Sequence, residues 1–398
     1  MTLQDKSVAC LREEVAKRYS VALSAVRVVI APYRVCPLGA HIDHQLGPVT
    51  AMALDRGVLL AYAPSPSREV RLSSLVFPDE VRFDLDNVPE RRAGDWGNFA
   101  RGAVRALQQS HRLRVGMDGV TAGSLSAGGL SSSAAIGVAY LLALEDVNGL
   151  EVSKEENIAL DQFIENSYLG LRNGILDQSA ILLSRRDHLT VIECATVRYE
   201  LIPRAASMPD FVVLVAFSGV EQALVGTDYN RRVDECAEAA MILLEAVGRK
   251  AERPLLGHVT AEEYAAHKSL LRGAPARRAA HFFSEVGRVE RGVAAWRRGD
   301  IEEFGCLMTA SGESSIGNYE CGSPPLIDLY HILIETKGVC GARFSGAGFR
   351  GCCIALVRPE VAQQAAATAH AAYARRHSDL SGNARTFLCN SDDGARIL

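Results

Sequence analysis

The stretch that most restricts what this chain can fold into is Ala127-Gly128-Gly129-Leu130-Ser131-Ser132-Ser133-Ala134-Ala135. Two glycines and three hydroxyls lead into an apolar run over residues 130–144, whose spacing predicts a helix. Glycines let a backbone come close to an anion. A helix start offers unpaired N–H groups and a partial positive charge, so a polyphosphate is a natural guest there. A serine hydroxyl at that point can reach a Mg2+ that bridges phosphates. The pattern Gly-x4-Gly-Lys-Ser/Thr occurs nowhere in the chain, so a kinase reading would exclude the P-loop kind.

Around this loop, strands and helices intermix. Residues 28–31 are β-branched and short, and Pro32 closes them, which predicts a buried strand. Residues 58–62 predict a second strand, followed by an irregular polar stretch to about Asp95. Helical spacing appears over 96–109 and 154–169, and 177–183 starts a further buried helix. Residues 210–217 are the clearest strand. The composition shifts between Pro203 and Pro209, which divides the chain into domains 1–205 and 206–398. Helices are expected over 231–246, 261–271, 279–298 and 360–376, and residues 341–357 are glycine-rich and then apolar. Without a strict βαβ rhythm the class is α+β.

Bulk composition narrows the function. The 398 residues are about twice the usual domain size. With 48% hydrophobic and 23% charged residues, a core needs no staples. A net charge of −4 gives no footprint for a nucleic-acid partner. The ten cysteines form no CxxC pair at zinc spacing, and reduced thiols point to a cytoplasmic protein. Residues 1–18 lack the apolar core of a signal peptide. No run approaches the roughly 20 apolar residues a membrane helix needs, so no membrane partner is expected.

The serine loop resembles the second motif of the GHMP kinases. Residues 31–44, Ala31-Pro32-Tyr33-Arg34-Val35-Cys36-Pro37-Leu38-Gly39-Ala40-His41-Ile42-Asp43-His44, resemble the galactokinase signature of that family. Residues 341–351, Gly341-Ala342-Arg343-Phe344-Ser345-Gly346-Ala347-Gly348-Phe349-Arg350-Gly351, resemble its third motif. This last stretch also spells the dinucleotide fingerprint Gly-x-Gly-x-x-Gly. That fingerprint follows a strand and opens a helix early in a βαβ unit, whereas here a β-like run, 352–357, follows near the end of the chain. The resemblance implies a ribosomal protein S5 domain 2-like N-terminal domain, a ferredoxin-like C-terminal domain and an active site between them. It also implies ATP-dependent phosphorylation of a sugar on its anomeric hydroxyl.

Phosphoryl transfer needs held phosphates, a metal and a group that orients or deprotonates the attacking hydroxyl. Glu165 and Asp177 each follow apolar residues directly, which is unusual on a solvated face. By the resemblance, Glu165 and Ser133 hold Mg2+, and Asp177 acts as base or as orienting acceptor. Arg34 sits beside Asp177 and favours its charged form. His41, Asp43, the backbone of Gly174, and Tyr229 in Asp228-Tyr229-Asn230 are implied sugar contacts. Gly128, Gly129, Leu130, Ser131, Ser132, Ser133 and Ala134 are implied to cradle ATP, with Gly346 and Gly348 nearby and Trp96 near the adenine.

Two departures bear on the sugar. Galactokinases carry a glutamate at the position of Ala40, where it binds the sugar's 6-hydroxyl, and Met-Pro-Cys at the position of Leu171-Arg172-Asn173. The chain thus loses an acceptor and gains a fork suited to a carboxylate at carbon six. Residues 36–44 are also similar to those of plant-type galacturonate kinases, so the expected substrates are D-galacturonate and ATP. The alternatives are galactose, glucuronate or arabinose as acceptor, or a non-catalytic sugar- and ATP-binding regulator. Intact Ser131 to Ser133, Glu165 and Asp177 speak against the regulator, and a monomer is compatible with all of these.

Overall fold

The computed structural model describes residues 3–123, 128–220, 229–349 and 351–398. Ala127, Asp228 and Arg350, quoted in the motifs above, lie outside them. The first sheet is built on β1 (Arg27–Val35), β2 (Pro48–Pro64), β3 (Glu69–Ser74), β4 (Val81–Asp84), β5 (Met117–Gly123), β6 (His188–Glu193) and β7 (Arg198–Pro203). The second is an antiparallel set in the order β11 (Arg385–Cys389), β8 (Val212–Phe217), β10 (Cys352–Val357), β9 (Val339–Phe344). The chain then returns to the first sheet: β12 (Ser391–Asp392) pairs with β2 and β13 (Arg396–Ile397) with β1. A division near residue 205 falls just before β8, yet it separates β12 and β13 from the sheet they complete.

Helix α1 (Leu3–Tyr19) covers one face of the first sheet with a small cluster around Leu11, Val15, Val28 and Val120. Helices α2 (Asn98–Leu107), α3 (Ser132–Asn148), α4 (Lys154–Phe163) and α5 (Leu176–Leu183) pack together, and α3 and α5 lie against β1 and β2. The second half adds α6 (Tyr229–Ala246), α7 (Ala261–His267), α8 (Gly273–Arg298), α9 (Ile301–Gly317), α10 (Pro324–Glu335) and α11 (Ala362–Arg376). One continuous apolar core runs through both halves, from Val29 to Cys389. The mixture of sheets and helices bears out the α+β class.

Three local expectations are corrected. Pro32 does not end its strand: β1 continues to Val35, and the pairing with β2 shifts register between Pro32 and Arg34. Proline has no N–H for the ladder, and a bulge is where that loss is tolerated. The polar stretch before Asp95 contains β3 and β4, hidden in the sequence by charged residues that pair across the strands. There Arg82 bonds Glu69 at 2.9 Å and Arg71 bonds Asp118 at 2.7 Å. The helix expected over 154–169 changes hand-hold at Ile164–Tyr168, which is a π turn.

Helix α9 and strand β9 touch backbone to backbone. A Cβ on Gly305 would lie 2.1 Å from the Cys340 carbonyl oxygen, and one on Gly341 would lie 2.0 Å from that of Gly305. Gly305→Ala is therefore expected to destabilise by about 1–3 kcal/mol through overpacking that no side-chain rotation relieves. A urea midpoint lower than wild type with an unchanged slope would report it. An unmoved midpoint would show that the helix can slide off the strand.

Candidate active site

The site lies where the two halves meet, and two glycine loops make the meeting possible. Gly129 (φ +99°) leads into α3, while Gly346 (φ +70°) and Gly351 (φ +90°) flank the turn between β9 and β10. A Cβ on Gly346 would lie 2.9 Å from the Gly129 Cα, and one on Gly351 would lie 2.2 Å from the Gly128 carbonyl oxygen. Only glycine fits such contact in these left-handed conformations. Ser131, the N-cap of α3, is itself left-handed (φ 56°), and its hydroxyl does not cap the helix. Its Oγ is buried without a partner among the described residues. The helix start thus presents N–H groups and a spare hydroxyl to one cavity, lined by Gly128, Gly129 and Ser131 to Ser133.

Across the cavity stands Asp177, in the first turn of α5. Its Oδ1 accepts from Arg34 Nε at 2.8 Å and Nη2 at 2.7 Å. Oδ2 makes no hydrogen bond among the described residues. Arg34 is buried, and its Nη1 donates to the Gly129 carbonyl at 3.2 Å. Ser133 Oγ donates to Glu165 Oε1 at 2.6 Å, and Asn173 Nδ2 donates to Oε2 at 2.9 Å. Glu165 sits in the π turn, whose extra residue turns it inward. Burial first, and then the charge of Asp177, push its carboxyl up to about 7 against those two hydrogen bonds.

The sugar signature forms the floor. Asp43 is half-buried, and burial followed by the charge of Asp177 raises it to about 6. A Cβ on Gly174 would lie 2.3 Å from Asp43 Oδ2, so glycine there admits the carboxylate. His41 (φ 59°) stacks on Tyr319 with ring centroids 4.3 Å apart, and burial holds it well below its ordinary pKa, hence neutral. Tyr229 opens α6 and lines the same cavity with Ala40, His41 and Asp43.

Several expected site residues stand elsewhere. Arg172 does not line the cavity; its Nη1 bonds Asp234 Oδ1 at 2.7 Å on the exposed side of α6. The reason is local: Leu171 and Asn173 turn inward, so the side chain between them faces water and finds the nearest acid. Trp96 lies outside the cavity lining as well. It donates to the Pro78 carbonyl at 3.1 Å and stacks on Phe77, beside exposed Leu75 and Val76. Leu130 and Ala134 are buried core, and Leu130 contributes its carbonyl to the Arg34 N–H at 3.3 Å. Gly348 packs against Cys321 rather than the cavity.

The structure adds residues that the sequence did not single out. Glu285 accepts from the N–H groups of Gly39 at 2.9 Å and Ala40 at 3.1 Å, and from Ser311 Oγ at 2.6 Å. Burial alone would raise it, but His281, Arg288 and Arg343 hold it down at about 2. It shares the inward stripe of α8 with Phe282 and Val289, and an acid on an apolar stripe is a signal that sequence reading could have used. Arg343 and Phe344, at the end of β9, also line the cavity.

Residues 98–185 match the GHMP kinases N terminal domain, 293–375 the GHMP kinases C terminal domain, and 16–64 the galactokinase galactose-binding signature. The chain belongs to the GHMP kinase family. It is 48% identical to the galacturonokinase of Arabidopsis thaliana, over 99% of each chain. It is 33% identical to the galactokinase of Roseiflexus sp. strain RS-1, covering 96% of this chain and 95% of that one. The crystal structure of Lactococcus lactis galactokinase complexed with galactose superposes with a TM-score of 0.90 at 27% identity, over 98% of this chain and 100% of that one. The chain is accordingly a phosphotransferase with an alcohol as acceptor and ATP as donor. No helix among the described residues is long and apolar enough to cross a membrane.

A carboxyl raised by folding keeps its proton longer in the folded chain than in the unfolded one. The stability it contributes is present at low pH and lost as pH rises through its folded value, here about 7 for Glu165. Without ligands, Glu165→Gln should therefore melt at a higher temperature relative to wild type at about pH 8 than at about pH 5. A gap that stays constant over that range would show that Glu165 ionises in the fold without penalty.

Proposed function

We propose that the chain transfers the γ-phosphoryl group of ATP to the anomeric hydroxyl of D-galacturonate, giving galacturonate 1-phosphate and ADP. Asp177 Oδ2 takes or orients the hydroxyl proton, while Arg34 pairs with the carboxylate and places it. The new bond joins the sugar oxygen to phosphorus, and ADP leaves with the electrons of the broken P–O bond. The start of α3 and the Gly346 loop hold the phosphates. Asp43, His41 and Tyr229 hold the sugar hydroxyls.

Ser133 and Glu165 are suited to hold Mg2+, which would neutralise charge on the phosphates. Their hydroxyl and desolvated carboxylate form a hard oxygen pair that a divalent cation would relieve. No group of three His, Cys, Asp or Glu among the described residues is placed to hold a metal. Magnesium in kinases needs only one or two carboxylates plus substrate phosphates.

The observation that carries the choice of sugar is Ala40. It lines the cavity among acceptors yet contributes neither an acceptor nor a charge of its own. A sugar carboxylate placed there meets no like charge from this residue. The name of the Arabidopsis relative supports the same choice. ADP release from Mg-ATP should be selective for galacturonate over galactose, glucuronate and arabinose. Asp177→Asn should lower kcat by about 100-fold or more. Preferential turnover of galactose would sink the assignment of the sugar, and silence on all four with retained ATP binding would favour a regulator.

A further inference from the structure

Five arginines in the described residues are buried: Arg34, Arg101, Arg232, Arg278 and Arg343. Four of them reach a carboxylate. Arg34 pairs with Asp177, Arg101 with Asp95, Arg232 with Glu235, and Arg278 with both Glu235 and Glu320. Of these five, Arg343 alone has no ion pair among the described residues, although only 2% of its surface is exposed. Its Nη1 donates to the Cys36 carbonyl at 3.0 Å. Its Nε is buried with no partner among the described residues, and Nη2 likewise makes no hydrogen bond there.

A buried cation with no carboxylate in contact is disfavoured, and its remaining donors ask for an anion. Among the described residues no carboxylate lies within ion-pair distance of Arg343. The acid whose charge responds to Arg343 is Glu285, and its oxygens are already taken by Gly39, Ala40, Ser311 and Arg288. Arg343 lines the cavity together with Ala40 and His41; its Nε is shut away from the cavity, so Nη2 is the donor left to face the sugar pocket. Arg172, the other candidate cation, is already paired outside it.

We propose that Arg343 is the residue that binds the carboxylate of a uronic acid, and that it sets the preference for an acidic over a neutral sugar. The inference rests on the galacturonate reading above and assigns to this site the cation that reading requires. Arg343 is a substrate-binding residue and has no part in the chemical step.

The test compares galacturonate, its methyl ester and galactose as acceptors for wild type and for Arg343→Met. Wild type should favour the acid over the ester by about 30-fold or more in kcat/KM, chiefly through KM, because the ester keeps the shape and loses the charge. In Arg343→Met that ratio should collapse to about 3-fold or less, the loss in kcat/KM falling more heavily on the acid than on the ester or galactose. Arg343→Lys keeps the charge and loses the fork, so its ratio should lie between the two. A wild-type enzyme that uses acid and ester equally overturns the proposal without any variant. An acid preference that survives Arg343→Met also overturns it, and its loss in a parallel Arg172→Ala would reassign the clamp. An equal loss on all three sugars reduces Arg343 to a structural role. If Arg343→Met does not fold, the ester ratio of wild type and the lysine variant decide. Wild-type turnover of galactose but not galacturonate would instead refute the underlying choice of sugar before any variant is made.

Discussion

Arg34 is buried where four segments of the chain converge, and its polar contacts reach the other three. It is a residue of β1, its guanidinium holds Asp177 of α5, its Nη1 meets the carbonyl of Gly129, and the Ser345 hydroxyl lies 3.5 Å away. Removing it would leave the half-buried Asp177 carboxylate without its cation and loosen both glycine loops. The close approach of Gly128 and Gly129 to Gly346 and Gly351 is possible because no side chains intervene, and Arg34 locks that approach from beneath. The site is therefore a consequence of how the two halves close.

The charges around this arginine are unbalanced in a useful way. Asp43 and Glu165 are both raised by burial and by the neighbouring Asp177. Asp161, one turn before Glu165, is buried with both oxygens unpartnered among the described residues, and burial raises it as well. Such a group of acids favours positive charge and hydrogen-bond donors from whatever occupies the cavity. The α3 start, whose Ser133 bonds Glu165, and the arginines Arg34 and Arg343 supply the positive side within the same cavity.

The amphipathic helices and the strand β8 were legible because their pattern is local. The loop before α3 was legible because glycines and hydroxyls at a helix start have few other uses. The motifs also brought Arg34, Ala40, His41, Asp43, Asp177 and Tyr229 to one cavity in the structure. What could not be read depends on partners distant in the chain. Nothing near Arg172 foretells Asp234, and nothing near Ala40 foretells that Glu285 grips its N–H. β3 and β4 were missed because their ion pairs place charges where alternation would have shown, and Pro32 misled because its bulge depends on the register of β2.

The return of the last strands to the first sheet has a consequence for how the protein is made. Val29 of β1 pairs with Ile397, and Ala53 of β2 pairs with Asp392. While the ribosome is still adding residues, the edge of the first sheet has no partner and its N–H and C=O groups stay open to other chains. The first sheet cannot be completed until residues 391–397 have emerged and returned to β1 and β2.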